Sequence, residues 1–267
     1  MTMTTGANAN LKQQIEIPAL ERLMKMKPYL EQILPNSMSA DRSIMSAISE
    51  LKNNPALNMC DPKAICGGIL RIAQMGLEIG SVLGKVYLVP FNGDVTLMLG
   101  YRGMLDLIRR SPDVFSIKSA CVYENDLFEF EDGSTPSIKH VRKWTNRGAL
   151  IGVFAIIIMK NGYFQYEMMS VEEVEKIRQK SPGKNSKPWV NYFEEMAKKT
   201  VIRRLFKTAP SSVETIIAME LDEKAEYGDQ NLKSALKEFG IEDDESNVID
   251  IQSQSDKLAE KISGMGE

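Results

Sequence analysis

Two Asn-Gly dipeptides constrain the fold of this chain more than any other feature. Asn92-Gly93 lies between strand-like segments at Lys85–Val89 and Val95–Leu99, and Asn161-Gly162 between Leu150–Met159 and Tyr163–Met169. Asn and Gly accept the left-handed backbone that a tight hairpin turn demands, so each pair of segments is predicted to run antiparallel. Leu150–Met159 is apolar on both faces, which predicts a central strand. Further strands are expected at Phe115–Val122 and Leu127–Glu131.

Helical spacing surrounds these strands. Leu20, Leu23 and Met24 within Ile17–Leu34, and Ile44, Ile48 and Leu51 within Ser39–Leu51, recur three and four residues apart and predict two amphipathic helices. Asp61 followed by Pro62 marks the start of a third, running through Ile65, Ile69, Ile72 and Ala73 to Gly76. A short helix is predicted at Tyr101–Arg110, stopped by Pro112. Ser170 and Glu173 stand in capping-box spacing before a helix through Gln179, another helix is expected from Trp189 to Lys207, and Ser211 with Glu214 repeats the capping spacing before one ending near Tyr227. The fold class is therefore α+β, with antiparallel β hairpins and sheet packed with helices. Three regions are expected: an N-terminal helical segment over 1–60, a core over 61–227, and a flexible acidic C-terminal tail over 228–267 with a last helix at Asp256–Ile262.

Composition removes several kinds of chemistry. His140 is the single histidine, which excludes any site needing two imidazoles. Cys60, Cys66 and Cys121 are odd in number and form no C-x-x-C pair, so neither a disulfide framework nor a structural zinc site is expected. The start has no signal-peptide character, and the longest apolar run, 148–159, is too short to span a bilayer as a helix; a soluble, cytoplasmic protein is the expectation. Gly80-Ser-Val-Leu-Gly84-Lys85-Val86 imitates a phosphate-binding loop but has three residues between its glycines instead of four. It also places Val86 where a magnesium-binding Ser or Thr belongs, and it leads into a strand, so nucleotide hydrolysis is not expected.

Charge is unevenly placed. Residues 1–210 carry 28 Lys and Arg against 21 Asp and Glu, net +7, and residues 211–267 carry 5 against 15, net −10. A basic body with an acidic tail is an asymmetry associated with polyanion binding. From Lys176 to Lys207 there are ten Lys and Arg against two acids, with Trp189, Tyr192, Phe193 and Phe206 interleaved. On a helix Tyr192, Lys199, Arg203 and Lys207 share one stripe, opposite Phe193, Ala197, Val201, Ile202 and Leu205. Lys198 and Arg204 fall in or beside the apolar arc and need a partner there. Lys139, Arg142, Lys143 and Arg147 surround Trp144, Tyr101 and Arg102 precede Arg109 and Arg110, and Lys85 lies on the first hairpin. Cations for a backbone and flat rings for unstacked bases are what a single-stranded nucleic-acid groove needs. His140, among these bases, is expected to meet phosphate or base or to be exposed. The acidic cluster Glu124, Asp126, Glu129, Glu131 and Asp132 reads as the polar face of a solvated strand, with a metal-dependent nuclease as the alternative.

Longer words then carry a resemblance: Gly76-Leu-Glu-Ile-Gly80, Leu83-Gly-Lys-Val-Tyr-Leu-Val-Pro-Phe91, Gly100-Tyr-Arg-Gly-Met104, and Pro188-Trp-Val190 leading to Glu195-Met-Ala-Lys-Lys-Thr-Val-Ile-Arg-Arg-Leu205. Over roughly residues 60–225 the chain resembles the RecT group of single-strand annealing recombinases of bacteriophages and prophages, which includes the more distant Redβ proteins. The resemblance implies annealing of complementary single-stranded DNA without ATP in homologous recombination, by binding and positioning rather than as an enzyme. It also implies rings or helical filaments of many subunits, with the N-terminal segment 1–60 expected to make oligomer contacts, a companion phage 5′ to 3′ exonuclease, and recruitment to the host single-strand DNA-binding protein, here through the acidic tail, in the cytoplasm of a bacterial host cell. No cofactor is required on this reading, although Mg2+ is expected to modulate DNA binding through the phosphates. Backbone contact is assigned to Lys85, Arg102, Lys139, Lys143, Lys184, Lys187, Lys198, Lys199, Arg203, Arg204 and Lys207, and base or sugar contact to Tyr101, Trp144, Trp189 and Tyr192, Trp189 being equally readable as a core anchor. Replacing Lys199 and Arg203 together is expected to weaken the salt dependence of binding and leave the fold intact. An RNA chaperone remains a further reading, since a stacking groove does not by itself choose the sugar.

Overall fold

The structure, a computed structural model, describes residues 19–80, 82–91, 93–133, 136–181, 183–210 and 212–241. Helices α1 (Leu20–Lys25), α2 (Lys27–Ile33) and α3 (Ala40–Asn53) come first, then a 3-10 turn at Pro55–Met59 and α4 (Pro62–Gln74). The strands β1 (Val86–Phe91) and β2 (Asp94–Leu99) lead into α5 (Tyr101–Arg110). Next are β3 (Val114–Tyr123), β4 (Leu127–Glu131), β5 (Ser137–Val141), β6 (Leu150–Met159) and β7 (Phe164–Ser170). Helices α6 (Val171–Lys180), α7 (Lys187–Asn191), α8 (Phe193–Phe206), α9 (Val213–Tyr227) and α10 (Ser234–Glu238) complete the described chain.

Both expected hairpins form. β1 pairs antiparallel with β2 from Val86–Leu99 to Phe91–Asp94, and β6 with β7 from Gly152–Ser170 to Ile158–Phe164. Gly93 and Gly162 hold positive φ, 77° and 90°, as the turns require; Asn92 lies outside the described residues. β6 is central, between β3 and β7. The register sets Val153 between Cys121 and Met169, and Ala155 between Ser119 and Glu167. That face carries α8: the Cys121 thiol lies 3.8 Å from the Glu194 carbonyl, and Arg204 reaches Glu167 at 3.0 Å. On the other face Phe154 meets Phe128 and His140, ring centroids 5.7 and 5.5 Å away. A large apolar side chain gains roughly 1.5–3 kcal/mol from full burial, so a strand apolar on both faces draws cover to both.

The second cover is the separate hairpin of β4 and β5, in register from Leu127–Val141 to Glu131–Ser137. β5 departs from the sequence expectation, which treats 137–144 as a basic segment. Only Ile138 and His140 alternate toward the sheet, and the histidine made the inward row look polar.

Two expected helices are each broken in two. Pro28, in the first turn of α2, has no N–H, and its ring crowds the preceding turn, so Ile17–Leu34 divides at Met26 while Leu23, Met26 and Leu30 stay buried; Ile17 and Pro18 lie outside the described residues. The Trp189–Lys207 helix divides at Tyr192, whose φ of −136° and ψ of 47° are not helical. Elsewhere the expected caps hold: Ser39 and Asp61 accept from their helices' first turns, and Ser170 with Glu173 closes a capping box. Ser211 lies outside the described residues, and Ser212 caps α9 by accepting from the Thr215 N–H at 3.3 Å. Leu23, Leu30, Ile44 and Leu51 join the same buried cluster as Ile65, Leu70 and Leu205, so the N-terminal helices share the core of the body. Among the described residues no helix is long and apolar enough to cross a membrane.

The segment expected as a flexible tail begins as packed structure. After Gly228, left-handed at φ 75°, the Gln230 side chain accepts from the Leu97 N–H at 2.7 Å and donates to the Leu97 carbonyl at 2.9 Å, as a neighbouring strand would. Leu232, Ala235 and Leu236 are buried, and Lys233 pairs with Asp61 at 2.8 Å and Asp94 at 3.2 Å. Residues 242–267, with the helix expected at Asp256–Ile262, lie outside the described residues. The close approach that admits this strap is at Gly67 in α4, where an added Cβ would stand 1.9 Å from the Leu232 carbonyl oxygen. Gly67→Ala is therefore expected to lower stability by about 2–3 kcal/mol in urea unfolding. Gly183→Ala, where a Cβ meets nothing nearer than 3.8 Å, should be close to neutral.

Candidate nucleic-acid interface

The basic surface is built around α8 and the N-terminus of α5. Gly100 and Gly103 let α5 lie directly on the backbone of Gly84 and Lys85; a Cβ on either glycine would come within 2.2 Å of a carbonyl oxygen there. This seats Tyr101 and Arg102 beside α8, both exposed, with Arg102's aliphatic stem against Gly84. Lys199, midway along α8, lies near Tyr101 and is solvent-exposed, with protein packed around its stem. That crowding, with Arg203 adding repulsion, pushes its ammonium below the ordinary lysine value. A cation held in this way gains from an anionic ligand.

The other α8 cations are taken by carboxylates. Lys198 pairs with Glu195, and Arg204 reaches Glu167 at 3.0 Å and Glu173 at 3.7 Å, which answers the need for partners beside the apolar arc. Lys207 lies 3.6 Å from Glu226. Arg203 grips Asp222 with two bonds of 2.9 and 3.0 Å, and Asp222 is only 5% exposed. Burial pushes the Asp222 carboxyl above its ordinary value despite that grip. Lys85 pairs with Asp106 at 3.1 Å, and Lys139 with Glu129 at 3.0 Å. The side chains of Arg102, Lys143, Lys184, Lys187 and Lys199 have no carboxylate partner among the described residues.

The rings divide in the same way. Trp189 is buried against Phe193, centroids 6.0 Å apart, and serves as the core anchor rather than as an open stacking surface. Tyr192, freed by the break between α7 and α8, is 64% exposed, and Trp144 is 99% exposed. Trp144 sits on the loop from β5 to β6. Asp126, with no accessible carboxylate surface, holds that loop by accepting from the Lys143 N–H at 3.0 Å, from Arg147 Nε at 3.0 Å and from a second Arg147 nitrogen, and by bonding His140 Nε2 at 3.0 Å. Its cover is the loop and its own partners rather than deep core. The Arg147 guanidinium, also stacked 3.8 Å over the Tyr123 ring, holds the Asp126 carboxyl far below the ordinary range. The resulting stability is complete above about pH 4, the unfolded value, and fades as pH falls toward the folded one. Tyr123 in turn touches Glu194 in the first turn of α8; burial, with Glu194 adding to it, pushes its phenol up to about 12.

One expectation for this region is corrected. His140 is neither exposed nor poised for phosphate: its side chain is 8% accessible, set between Phe128 and Phe154 and bonded to Asp126. The acidic cluster 124–132 agrees with the reading as the polar face of a solvated strand, with Glu129 and Glu131 exposed on β4, and its carboxylates do not converge. Asp126 is spent on the loop, Glu129 on Lys139, Asp132 on the Tyr166 hydroxyl and Glu124 on the Ala149 N–H. No group of three His, Cys, Asp or Glu side chains able to hold a metal occurs among the described residues.

The RecT family matches residues 41–236. The chain belongs to the RecT family. It is 41% identical over 207 residues to Protein RecT of Escherichia coli (strain K12), covering 74% of this chain and 77% of that protein. It is also 25% identical over 261 residues to the uncharacterized protein YqaK of Bacillus subtilis (strain 168), covering 94% and 88%. The RecT match runs past Tyr227 to Leu236, through the strap that packs on α4.

The Arg203 geometry changes what mutation should do. Lys199→Ala is expected to leave stability within about 0.5 kcal/mol. Arg203→Ala strands the buried Asp222 and should cost about 2 kcal/mol, a buried-pair penalty discounted for the partial exposure of the arginine. In denaturant titrations that deficit should shrink toward acid pH, where Asp222 takes up a proton and no longer needs a cation.

Proposed function

We propose that this RecT-family protein binds single-stranded DNA and anneals complementary strands without ATP, as a step of homologous recombination. Family membership supports a recombination-related single-strand annealing role, with DNA binding and self-assembly. The observation that carries the finer reading is the company kept by the exposed rings: Tyr101, Tyr192 and Trp144 stand on the same elements as cations that no carboxylate neutralises. Phosphates lie along Arg102 and Lys199, with Lys143, Lys184 and Lys187 extending the track. Bases lie against the rings, stacking that tolerates any sequence. Subunits in a ring or helical filament would join these segments into one groove. An incoming strand then tests pairing, and the cations offset the repulsion between two phosphate chains.

No step requires nucleotide hydrolysis or a protein-bound metal, and Mg2+ acts on the phosphates alone. On the same reading the chain works beside a phage 5′ to 3′ exonuclease, and residues 242–267 recruit the host single-strand DNA-binding protein. Five acids in 242–251 and no base suit that segment to a partner rather than to DNA. The dispersed 124–132 carboxylates leave the nuclease reading without support.

Two labelled complementary oligonucleotides mixed with the protein, without nucleotide, should form duplex rapidly, while a non-complementary pair stays single; cleavage or mere coating would refute the reading. Binding should weaken with salt by a slope of about −0.7 per neutralised phosphate on single strands. Replacing Arg102 and Lys199 together by Ala should flatten that slope by about one to two phosphates, with unfolding midpoints unchanged.

A further inference from the structure

An exposed tryptophan is ordinary on a loose loop, but the loop that carries Trp144 is clamped. Besides the Asp126 bonds, the Asn125 side chain donates to the Asn146 carbonyl at 2.9 Å, the Asn125 N–H donates to the Arg147 carbonyl at 2.9 Å, and Glu124 and Ala149 exchange bonds of 3.0 and 3.1 Å. Asn146 is the one non-glycine residue with positive φ, 51°, among the described residues, a conformation Asn tolerates better than most. Bonds at Lys143, Asn146 and Arg147 therefore hold the loop on both sides of Trp144, while Trp144 itself touches almost nothing, at 99% exposed. Arg142 and Lys143 flank it with no carboxylate partner among the described residues.

We infer that residues 142–147 form a fixed stacking finger for an unstacked base of single-stranded DNA, and that Asp126 is its positioning residue, acting on the nucleic acid only through Trp144 and its basic neighbours. This rests on the function proposed above and gives a carboxylate of the acidic cluster a role other than metal chemistry. Preorganisation is the physical reason. A ring on a mobile loop loses freedom when a base stacks on it, whereas a ring already held loses little, so more of the stacking free energy appears as affinity. The flanking cations favour a phosphate-bearing partner over an apolar protein pocket, where Arg142 and Lys143 would be desolvated without an anion. The base of the finger abuts the first turn of α8 through Tyr123 and Glu194, which brings it to the same end of the helix as Tyr192.

The test uses the full chain and a thymidine homopolymer. Tryptophan emission from wild type minus that from Trp144→Phe isolates the finger, since Trp189 is buried. The DNA should quench that difference signal. Trp144→Ala should weaken binding about tenfold, with Trp144→Phe recovering most of the loss. Asp126→Asn should weaken binding similarly in the wild-type background and have almost no effect when Trp144 is already Ala, a coupling that a general loss of stability does not produce. Arg147→Lys, which keeps the charge but loses the fork, serves as the second variant and should couple to Trp144 in the same way. An unquenched Trp144, or additive losses in the double variants, overturns the inference. So does a Trp144→Ala protein whose assembled mass falls in light scattering while its DNA affinity per subunit holds, which would make the finger a contact to a second copy. Failure of wild type to bind the homopolymer would instead bring down the proposed function, and the finger with it.

Discussion

The arrangement depends on β6 being apolar on both faces. A strand of this kind has no side to offer water, so each face must be covered by a different element, and the two covers are what carry the candidate interface. α8 lies over the Val153 and Ala155 row, and packing its own apolar side there turns Lys199 outward toward α5. The β4–β5 hairpin lies over Phe154 on the other face, and its exit into β6 becomes the clamped loop that holds up Trp144. The placement of Lys199 and that of Trp144 thus follow from one requirement of burial.

Within this frame carboxylates decide which cations remain available. Arg203, Arg204 and Lys207 are the obvious phosphate ligands by count, yet Asp222, Glu167, Glu173 and Glu226 already hold them. Arg203 is in effect part of the α8–α9 joint. Of the cations assigned to backbone contact, what is left is a smaller set: Arg102 at the start of α5, Lys199 on α8, Lys143 beside Trp144, and Lys184 and Lys187 before α7.

Much of this was legible in the sequence. The Asn-Gly turns and the two-sided apolar run specified the hairpins and the central strand, and Asp61-Pro62 and Ser170-x-x-Glu173 marked their helix starts, because each is a local rule that tertiary contacts had no reason to override. The losses have a common cause, which is that partners distant in the chain leave no local trace. Nothing near His140 announces Asp126 or Phe154, so neither β5 nor the burial of the histidine has a local signal. Nothing near Arg203 announces Asp222. Ser170-like spacing at Ser211 pointed one residue early, and the acidic composition after Gly228 concealed Leu232, Ala235 and Leu236, which pack on α4 through a path only Gly67 allows. Trp189 and Trp144 have similar basic surroundings in the sequence and opposite fates in the fold.

On the function proposed above, DNA meets the side of the molecule where α5, α8 and the 142–147 loop present rings beside unpaired cations. Photo-crosslinking of an oligonucleotide carrying 5-iodouracil, followed by mass spectrometric mapping of the adducts, tests this most directly. Adducts are expected on the peptides bearing Tyr101, Tyr192 and Trp144, and none on the buried Trp189. Adducts confined to Tyr163 or Tyr227, rings 74% and 72% exposed but outside this setting, would contradict it.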